Sequence, residues 1–507
     1  MELLKSGIPG LDEIFQGGIP RENCLLAEGP AGSGKTTFGL QFIYNGATRY
    51  NENGLIITLE EKPAMLYRDA YNYGWNLKKL EKENKIKIIP TSPQTLIDMI
   101  SNPTSHINNI FEEMNIKRIF IDSISHFRQI AENNLHYREL INKLIYAVSD
   151  KNAFIVLSRE LPGYSENNLF SDEVYLVDTV IRLTYESCGN RRRERFIEIL
   201  KSRGQDYISG KHSFIFDTTG IHIFPSCFLK NYDINDIPSS ETAKLSTGIE
   251  GLDEMLGGGL SVGKTALITG SSGTGKKTIG IQFLNEGFTH NENGLFVTLH
   301  NRPEDIIHSA LSYSINLDVA LKKRMLEILY RSPMELIADE LSHSIRKICS
   351  EMNIRRVVID SLNDLSDSIK DKDYFKNFLF SLCDFFSNKG ITTILTLDLN
   401  EMFSASESEN SEIMGLIPAV ISLRYVELES EIRRAVSVIK VGGSYHDRSI
   451  HEYIISNKGM EVLEKFEGRE GLMSGSPKKI DIQLQEILGN MALYERAVKK
   501  NRGIDDH

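Results

Sequence analysis

Short aliphatic and β-branched runs punctuate the chain: "CLLAE" at 24–28, "GLIITLE" at 54–60, "RIFIDS" at 118–123 and "AFIVLS" at 153–158. Between them lie segments with apolar residues at helical spacing, such as "FGLQFIYNGA" at 38–47. Strand-like runs that alternate with helical ones predict a mainly parallel sheet flanked by helices, because a parallel neighbour is reached only through a long crossover. After residue 178 the pattern changes. "TVIRLTYES", "RFIEILKSR" and "HSFIFDTTGIHIF" follow one another with turns and no helix between them, which predicts an antiparallel extension of the sheet.

The whole pattern occurs twice. "LKSGIPGLDEIFQGGIPRENCLLAEGPAGSGKTTFGLQF" from Leu4 recurs as "LSTGIEGLDEMLGGGLSVGKTALITGSSGTGKKTIGIQF" from Leu245, with nearly half of the positions identical. The match continues through "NENGLIITLE" and "NENGLFVTLH", "EMNIKRIFIDSIS" and "EMNIRRVVIDSLN", and "EILKSRG" and "SVIKVGG". A unit of this length is a whole domain, since solenoid repeats run to about 20–50 residues. The expected organisation is a first domain over 1–225, a polar linker over 226–244, a second domain over 245–467 and a tail over 468–507. In the tail, Ile480, Leu484, Ile487, Leu488 and Met491 follow helical spacing and predict an amphipathic helix, which either packs on its own protein or docks a partner.

Composition fits a globular chain: 41% of the 507 residues are hydrophobic and 25% charged. No apolar run approaches the roughly 20 residues of a membrane span and the first residues carry no signal-peptide pattern, so a cytoplasmic protein is expected. The five cysteines are scattered without a C-x-x-C pair, which argues against a zinc or redox site. A net charge of −11 argues against nucleic acid as a partner. The run "RRRER" at 191–195 is basic, but it lies on an expected hairpin and is interleaved with acid, and "LPGYSENNLFSDE" at 161–173 is acidic.

The candidate chemistry is concentrated in "GPAGSGKTT", residues 29–37, which follows a strand-like run and opens a helical one. That context is the one a phosphate-binding loop needs. Gly29, Gly32 and Gly34, with Ser33 between them, let backbone N–H groups wrap phosphates, and the helix adds its positive end. Lys35 is expected to reach the β and γ oxygens of ATP, Thr36 to ligate Mg²⁺, and Thr37 to complete the loop. Asp122, at the end of "RIFIDS", is expected beside the metal. Glu60 and Glu61 close "GLIITLEE"; they either orient and deprotonate the attacking water or are solvated acids at a helix N-terminus.

The second copy, "GSSGTGKKT" at 270–278, keeps Gly270, Gly273, Thr274, Gly275 and Lys276, and Asp360 ends "RVVID". Its metal-binding hydroxyl is replaced by Lys277, and Thr278 can substitute only if the loop slips by one residue. His300 and Asn301 stand in place of the two glutamates. The second copy is therefore expected to bind nucleotide weakly or not at all.

Taken with "TGIEGLDEMLGGGL", "TLEE", "YNYGWNL", "FIDSIS", "RRRERFIEILKSRG" and "IKVGGSYHDRSIHEYIISNKG", these motifs resemble the KaiC family of RecA-like ATPases over both copies. The resemblance implies two tandem RecA-like P-loop domains of α/β class, subunits assembled as a two-tiered homohexameric ring, and ATP bound between neighbours. It implies that Lys201 and Arg203 of "ILKSRG" act on phosphates held by the adjacent subunit, a role for which the second copy has Gly442 in place of the arginine. Gln205 and Tyr207 stand where the family often has Thr and His. In clock KaiC proteins the second domain phosphorylates itself on a Ser-Thr pair; here that pair falls at Met414 and Gly415, and the nearest upstream hydroxyls are Ser408 and Ser411. Autokinase activity is therefore not expected. The family also docks a protein partner through its C-terminal extension. The implied function is ATP hydrolysis by the first copy for signalling or regulation. Two rivals are a DNA-acting recombinase or helicase, since the same core serves both, and a nucleotide-gated scaffold.

Overall fold

The protein is described here by a computed structural model covering residues 2–102, 104–161, 173–188, 192–226, 243–369, 371–399, 413–428, 430–466, 469–470 and 478–479. The tail segment 480–491, Ser408, Ser411 and most of the expected linker lie outside these residues. The chain divides into two compact units, Met1–Leu229 and Lys230–His507.

Unit 1 is built on β1 (Leu25–Gly29), α1 (Lys35–Arg49), β2 (Asn53–Thr58), β3 (Ile86–Pro90), β4 (Ile116–Asp122) and β5 (Phe154–Glu160). It continues through β6 (Thr179–Cys188), β7 (Arg192–Ser202), β8 (Lys211–Asp217) and β9 (Gly220–Phe224). All nine strands join one sheet in the order β9-β8-β7-β6-β1-β5-β4-β2-β3. Pairing is parallel from β6 across β1 to β3, and antiparallel from β6 out to β9.

Every residue of β1 is buried, as a central parallel strand covered on both faces requires. Successive side chains point to opposite faces. Leu25 and Ala27 accordingly join Phe38, Phe42, Phe120 and Phe154 in one core, while Leu26 packs with Ile119, Ile121, Ile141 and Leu144 in another.

Unit 2 repeats the plan with β10 (Thr265–Gly270), α2 (Lys276–Thr289), β11 (Asn293–Thr298), β12 (Leu326–Tyr330), β13 (Ile354–Asp360) and β14 (Thr392–Asp398). Its antiparallel part is β15 (Ala419–Leu428), β16 (Glu431–Val441), β17 (His451–Ser456) and β18 (Gly459–Lys465). The strand order, β18-β17-β16-β15-β10-β14-β13-β11-β12, matches that of unit 1 position for position. Two α/β units, each mainly parallel with an antiparallel extension, are what the alternation of strand-like and helical segments predicts.

A buried arginine holds each unit together. Arg118, on β4 and 1% exposed, donates through its Nε to Glu52 Oε2 at 2.6 Å and through its other nitrogens to Phe42 O at 3.1 Å and Lys5 O at 2.7 Å. Arg356 on β13 does the same with Glu292 Oε2 at 2.6 Å, Phe283 O at 2.9 Å and Ser246 O at 2.7 Å. Room is made by a glycine inside each helix. A Cβ on Gly46 would fall 2.4 Å from Arg118 Cδ, and one on Gly287 would fall 2.6 Å from Arg356 Cδ. A helix-interior glycine costs about 1 kcal/mol against alanine, so both helices give up propensity to admit the guanidinium.

Trp75 is the only tryptophan in the chain and is buried in unit 1, so its fluorescence reports the unfolding of that unit. Arg118→Met should lower the stability read by Trp75 in a urea titration by about 3 kcal/mol, because two buried carbonyls lose their donor. Lys79→Met, which removes only an exposed pair with Glu83, should leave the midpoint in place.

Candidate functional site

Parallel strands bring their carboxyl ends to one edge of the sheet, and in unit 1 that edge collects the candidate residues. β1 runs into the loop 30–34, where Gly32 and Gly34 adopt φ of 75° and 105°, values open to glycine but costly for other residues. A Cβ on Gly34 would lie 2.7 Å from Phe216 Cζ on β8, so the antiparallel part of the sheet packs directly against the loop. A Cβ on Gly29 would meet Leu183 O at 2.3 Å and Ser33 Oγ at 2.6 Å. α1 opens at Lys35, whose ammonium donates to Pro30 O at 2.9 Å. Burial lowers the pKa of Lys35, opposed by the carboxylates of Glu160 and Asp122.

The structure brings Thr36 and Asp122 together, with the Thr36 hydroxyl donating to Asp122 Oδ2 at 2.6 Å. Ser158 donates to Asp122 Oδ1. Among the described residues no three His, Cys, Asp or Glu side chains gather as a metal cage. The hydroxyl–carboxylate pair nevertheless fits a hard cation such as Mg²⁺, which takes few protein oxygens and completes its shell with phosphate and water. Thr37 follows in the first turn of α1, half-buried.

Glu60 and Glu61 lie at the same edge, in the turn after β2. Leu59 N donates to Asp122 O at 2.8 Å and Thr58 Oγ1 to Glu61 O at 2.8 Å, which fixes the turn beside β4. The two acids then diverge. Glu60 is exposed, with Oε2 3.0 Å from His126 Nε2. Glu61 is half-buried and its Oε2 is shielded from solvent without a hydrogen-bond partner. Its pKa is raised, first by burial and then by Asp122, Asp69 and Glu60.

Lys201 and Arg203 are not brought to this edge. They lie at the end of β7, where Ser202 pairs with Thr179, and Thr179 pairs with Leu25 at the start of β1. The length of β1, roughly 13 Å, separates them from the loop of their own unit. Lys201 Nζ donates to Val174 O at 3.0 Å and Val177 O at 2.6 Å, while Arg203 is exposed and pairs with Asp178 at 3.3 Å. Gln205 is spent on the backbone carbonyls of Phe15 and Gly18, at 2.8 and 3.0 Å. In the arginine-rich run, Arg193 and Arg195 stack on Tyr185 with guanidinium carbons 5.4 and 4.4 Å from the ring centre.

In unit 2 the loop geometry is kept, with φ of 81° at Gly273 and 97° at Gly275, and a Cβ on Gly275 would fall 2.6 Å from Ile455 Cδ1. Thr274 Oγ1 donates to Ser271 O at 2.8 Å within the loop. Lys276, 7% exposed, donates to Gly270 O at 2.8 Å and Ser271 O at 2.9 Å and pairs with Asp398 Oδ1 at 2.7 Å. α2 begins at Lys276 as α1 begins at Lys35, so the loop has not slipped. Thr278 is buried and its hydroxyl donates to Tyr313 OH at 3.0 Å. His300 is exposed at the position of Glu60, and Asn301 accepts from Thr298 through its carbonyl at 2.9 Å. Lys440 donates to Met414 O at 2.7 Å, and Gly442 N to Pro418 O at 2.9 Å.

Several neighbours of these groups belong to no recognised motif: Ser158 and Thr396, which donate to Asp122 and Asp360; Glu160 and Asp398, beside the loop lysines; and His126. The internal repeat carries the signal for the first four. Aligning "FIVLSRE" with "TTILTLD" puts a hydroxyl and a terminal acid at the same strand positions in both copies.

A glycine loop that opens a helix beside a strand-end aspartate defines a P-loop nucleotide-binding domain of RecA type; the loop, helix and aspartate occur in both units, the threonine–aspartate pair in unit 1. The family model described as the KaiC ATPase matches residues 4–227 and again 245–467, and the chain belongs to that family. Among its relatives, the circadian clock oscillator protein KaiC of Thermostichus vulcanus is 30% identical over 493 residues, 96% of this chain and 93% of that protein. The proteins of the same name from Parathermosynechococcus lividus and Synechococcus elongatus are 30% identical over 503 residues and 29% over 496, covering 97% and 96% of this chain and 92% and 94% of their own. Among the described residues no helix is long and apolar enough to cross a membrane.

Gly34→Ala should lower the thermal midpoint of unit 1, read by Trp75, more than Gly32→Ala. Both bear backbone strain of about 1–2 kcal/mol, but only the Cβ at 34 meets a ring; nothing lies within 4 Å of one at 32. Equal shifts would show that the Phe216 contact does not constrain the loop.

Proposed function

We propose that the protein hydrolyses ATP in unit 1 for a signalling or regulatory purpose, and that unit 2 is a nucleotide-binding unit without turnover. The observation that carries this reading is the single edge on which Lys35, Thr36, Asp122 and Glu61 converge in unit 1, against Lys277, His300 and Asn301 at the corresponding positions of unit 2.

In this mechanism the loop N–H groups around Gly29, Gly32, Ser33 and Gly34 hold the phosphates and Lys35 contacts the terminal oxygens. Thr36 and Asp122 would hold Mg²⁺, which would supply charge neutralisation to the bound phosphates. Glu61 accepts the proton of the attacking water, since its oxygen is shielded and unshared. Glu60, engaged by His126, orients rather than deprotonates.

We further propose that subunits form a hexameric ring in which Lys201 and Arg203 serve the phosphates of a neighbour. Their place at the edge opposite their own loop supports a role between subunits, and since Lys201 is held by two carbonyls, the exposed Arg203, paired only at the surface with Asp178, is the charge offered to a neighbour. The tail is proposed to dock a protein partner. Autokinase activity is not part of this function, because Met414 and Gly415 carry no hydroxyl.

Lys35→Ala, which leaves unit 2 whole, should reduce ATPase activity at least about 100-fold. Turnover retained in that variant would place hydrolysis in unit 2 and overturn the assignment. Glu61→Gln should cost about 100-fold in kcat, and Glu60→Gln much less. A base works only when ionised, so the raised pKa of Glu61 should place the acid limb of the kcat profile above the ordinary glutamate value of 4.5. A limb at or below that value, or one that persists in Glu61→Gln, would count against this base.

For the ring, light scattering should give a hexamer with ATP and Mg²⁺. Mixing Arg203→Ala subunits with Lys35→Ala subunits should regain turnover that neither variant has alone, because some interfaces then pair an intact loop with an intact arginine. A monomer, or no regain on mixing, would refute the shared site.

A further inference from the structure

The second phosphate loop does not fit a magnesium ion in the way the first does. Where Thr36 turns its hydroxyl onto Asp122 at 2.6 Å, unit 2 carries Lys277 at the same position of the helix. Thr278 supplies no replacement, since it is buried and donates to Tyr313. Asp360 is 9% exposed, and its Oδ1 already accepts from Thr396 at 2.6 Å. Burial pushes the Asp360 carboxyl up, while the Thr396 hydrogen bond and the ammonium groups of Lys277 and Lys276 act in the opposite direction. A divalent ion entering here finds no hydroxyl at the helix position of Thr36 and meets the like charge of Lys277 instead.

The rest of the cradle is retained. Gly273 and Gly275 hold the left-handed conformations of the phosphate loop, and the 14-residue helix α2 starts at Lys276 with its positive end toward the loop. Phosphate oxygens can exchange with the acceptors that now hold Lys276, namely Gly270 O, Ser271 O and Asp398 Oδ1. Unit 2 therefore opens its helix with two lysines, Lys276 and Lys277, where unit 1 has Lys35 and the hydroxyl of Thr36.

We propose that unit 2 is a metal-independent nucleotide site, in which the Lys277 ammonium takes the charge-neutralising place of Mg²⁺ and selects the uncomplexed form of a nucleoside di- or triphosphate. The proposal rests on the reading that unit 2 keeps nucleotide without turning it over. Mg²⁺ already on the β and γ oxygens would lie against Lys277, so the site favours free ATP over its magnesium complex. Occupancy of unit 2 then rises as free Mg²⁺ falls, the reverse of the dependence in unit 1.

The test uses the full chain with Lys35→Ala and Thr36→Ala, so that unit 1 is disabled, and follows a ribose-labelled fluorescent ATP by anisotropy. Saturable binding is expected in EDTA, weakening about tenfold in excess Mg²⁺ and disappearing when Lys276→Ala is added. Lys277→Thr, which installs the residue unit 1 uses at this position, should invert the preference so that binding needs Mg²⁺. Absence of binding in EDTA overturns the proposal, whether the site demands Mg²⁺ or takes no nucleotide, and so does an unchanged metal dependence in Lys277→Thr. Either failure leaves hydrolysis in unit 1 untouched, because that is judged by the turnover lost on Lys35→Ala.

Discussion

In each unit a buried arginine on the strand that ends in the site aspartate, Arg118 or Arg356, ties separate segments together. A guanidinium removed from water must be matched by a carboxylate and by carbonyls, or the unit loses several kcal/mol. Arg118 and Arg356 meet that demand with groups from separate segments: the acid between helix and strand, a carbonyl inside the helix, and a carbonyl near the start of the unit. The strand that ends in the site aspartate is thereby tied to the helix that begins at the phosphate loop. Both units keep this clamp although their loop chemistry differs, because the sheet needs it whether or not nucleotide is cleaved.

On that common scaffold the two edges diverge at a handful of positions. In unit 1 an acid oxygen is shielded, unshared and close to a hydroxyl–carboxylate pair. In unit 2 the same positions present a lysine, a histidine and an amide, and the loop lysine is paired with Asp398. None of these changes disturbs strand order or loop torsions, which differ little between the units. Side chains are altered at the edge of the sheet, where they are not needed for packing, and this is why one fold can carry two different sets of groups at the same place.

The antiparallel extension has more to do with the site than its distance along the chain suggests. Phe216 and Ile455, on strands of that extension, fill the space against the last loop glycine of their units. The same extension carries Lys201 and Arg203 away from their own loop to the opposite edge. One element therefore shapes the cradle at one edge and presents charge at the other.

Much was legible in the residues alone, because strand–loop–helix chemistry is local. The duplication, the alternation of strands and helices, the glycine spacing and the loss of a hydroxyl at Lys277 are all properties of neighbouring positions. What the sequence left open depended on which distant segments share an edge of the sheet. Glu60 and Glu61 are equivalent as text, and only the approach of His126 and the burial against Asp122 separate them. Lys201 and Arg203 carry no mark of their edge until pairing with β6 sets it. Asp398 becomes a partner of Lys276 only because β14 lies beside β10. Periodicity encodes which face of an element is apolar, whereas the meeting of two charges far apart in the chain is decided by strand order and register, and these exist only once the sheet has formed.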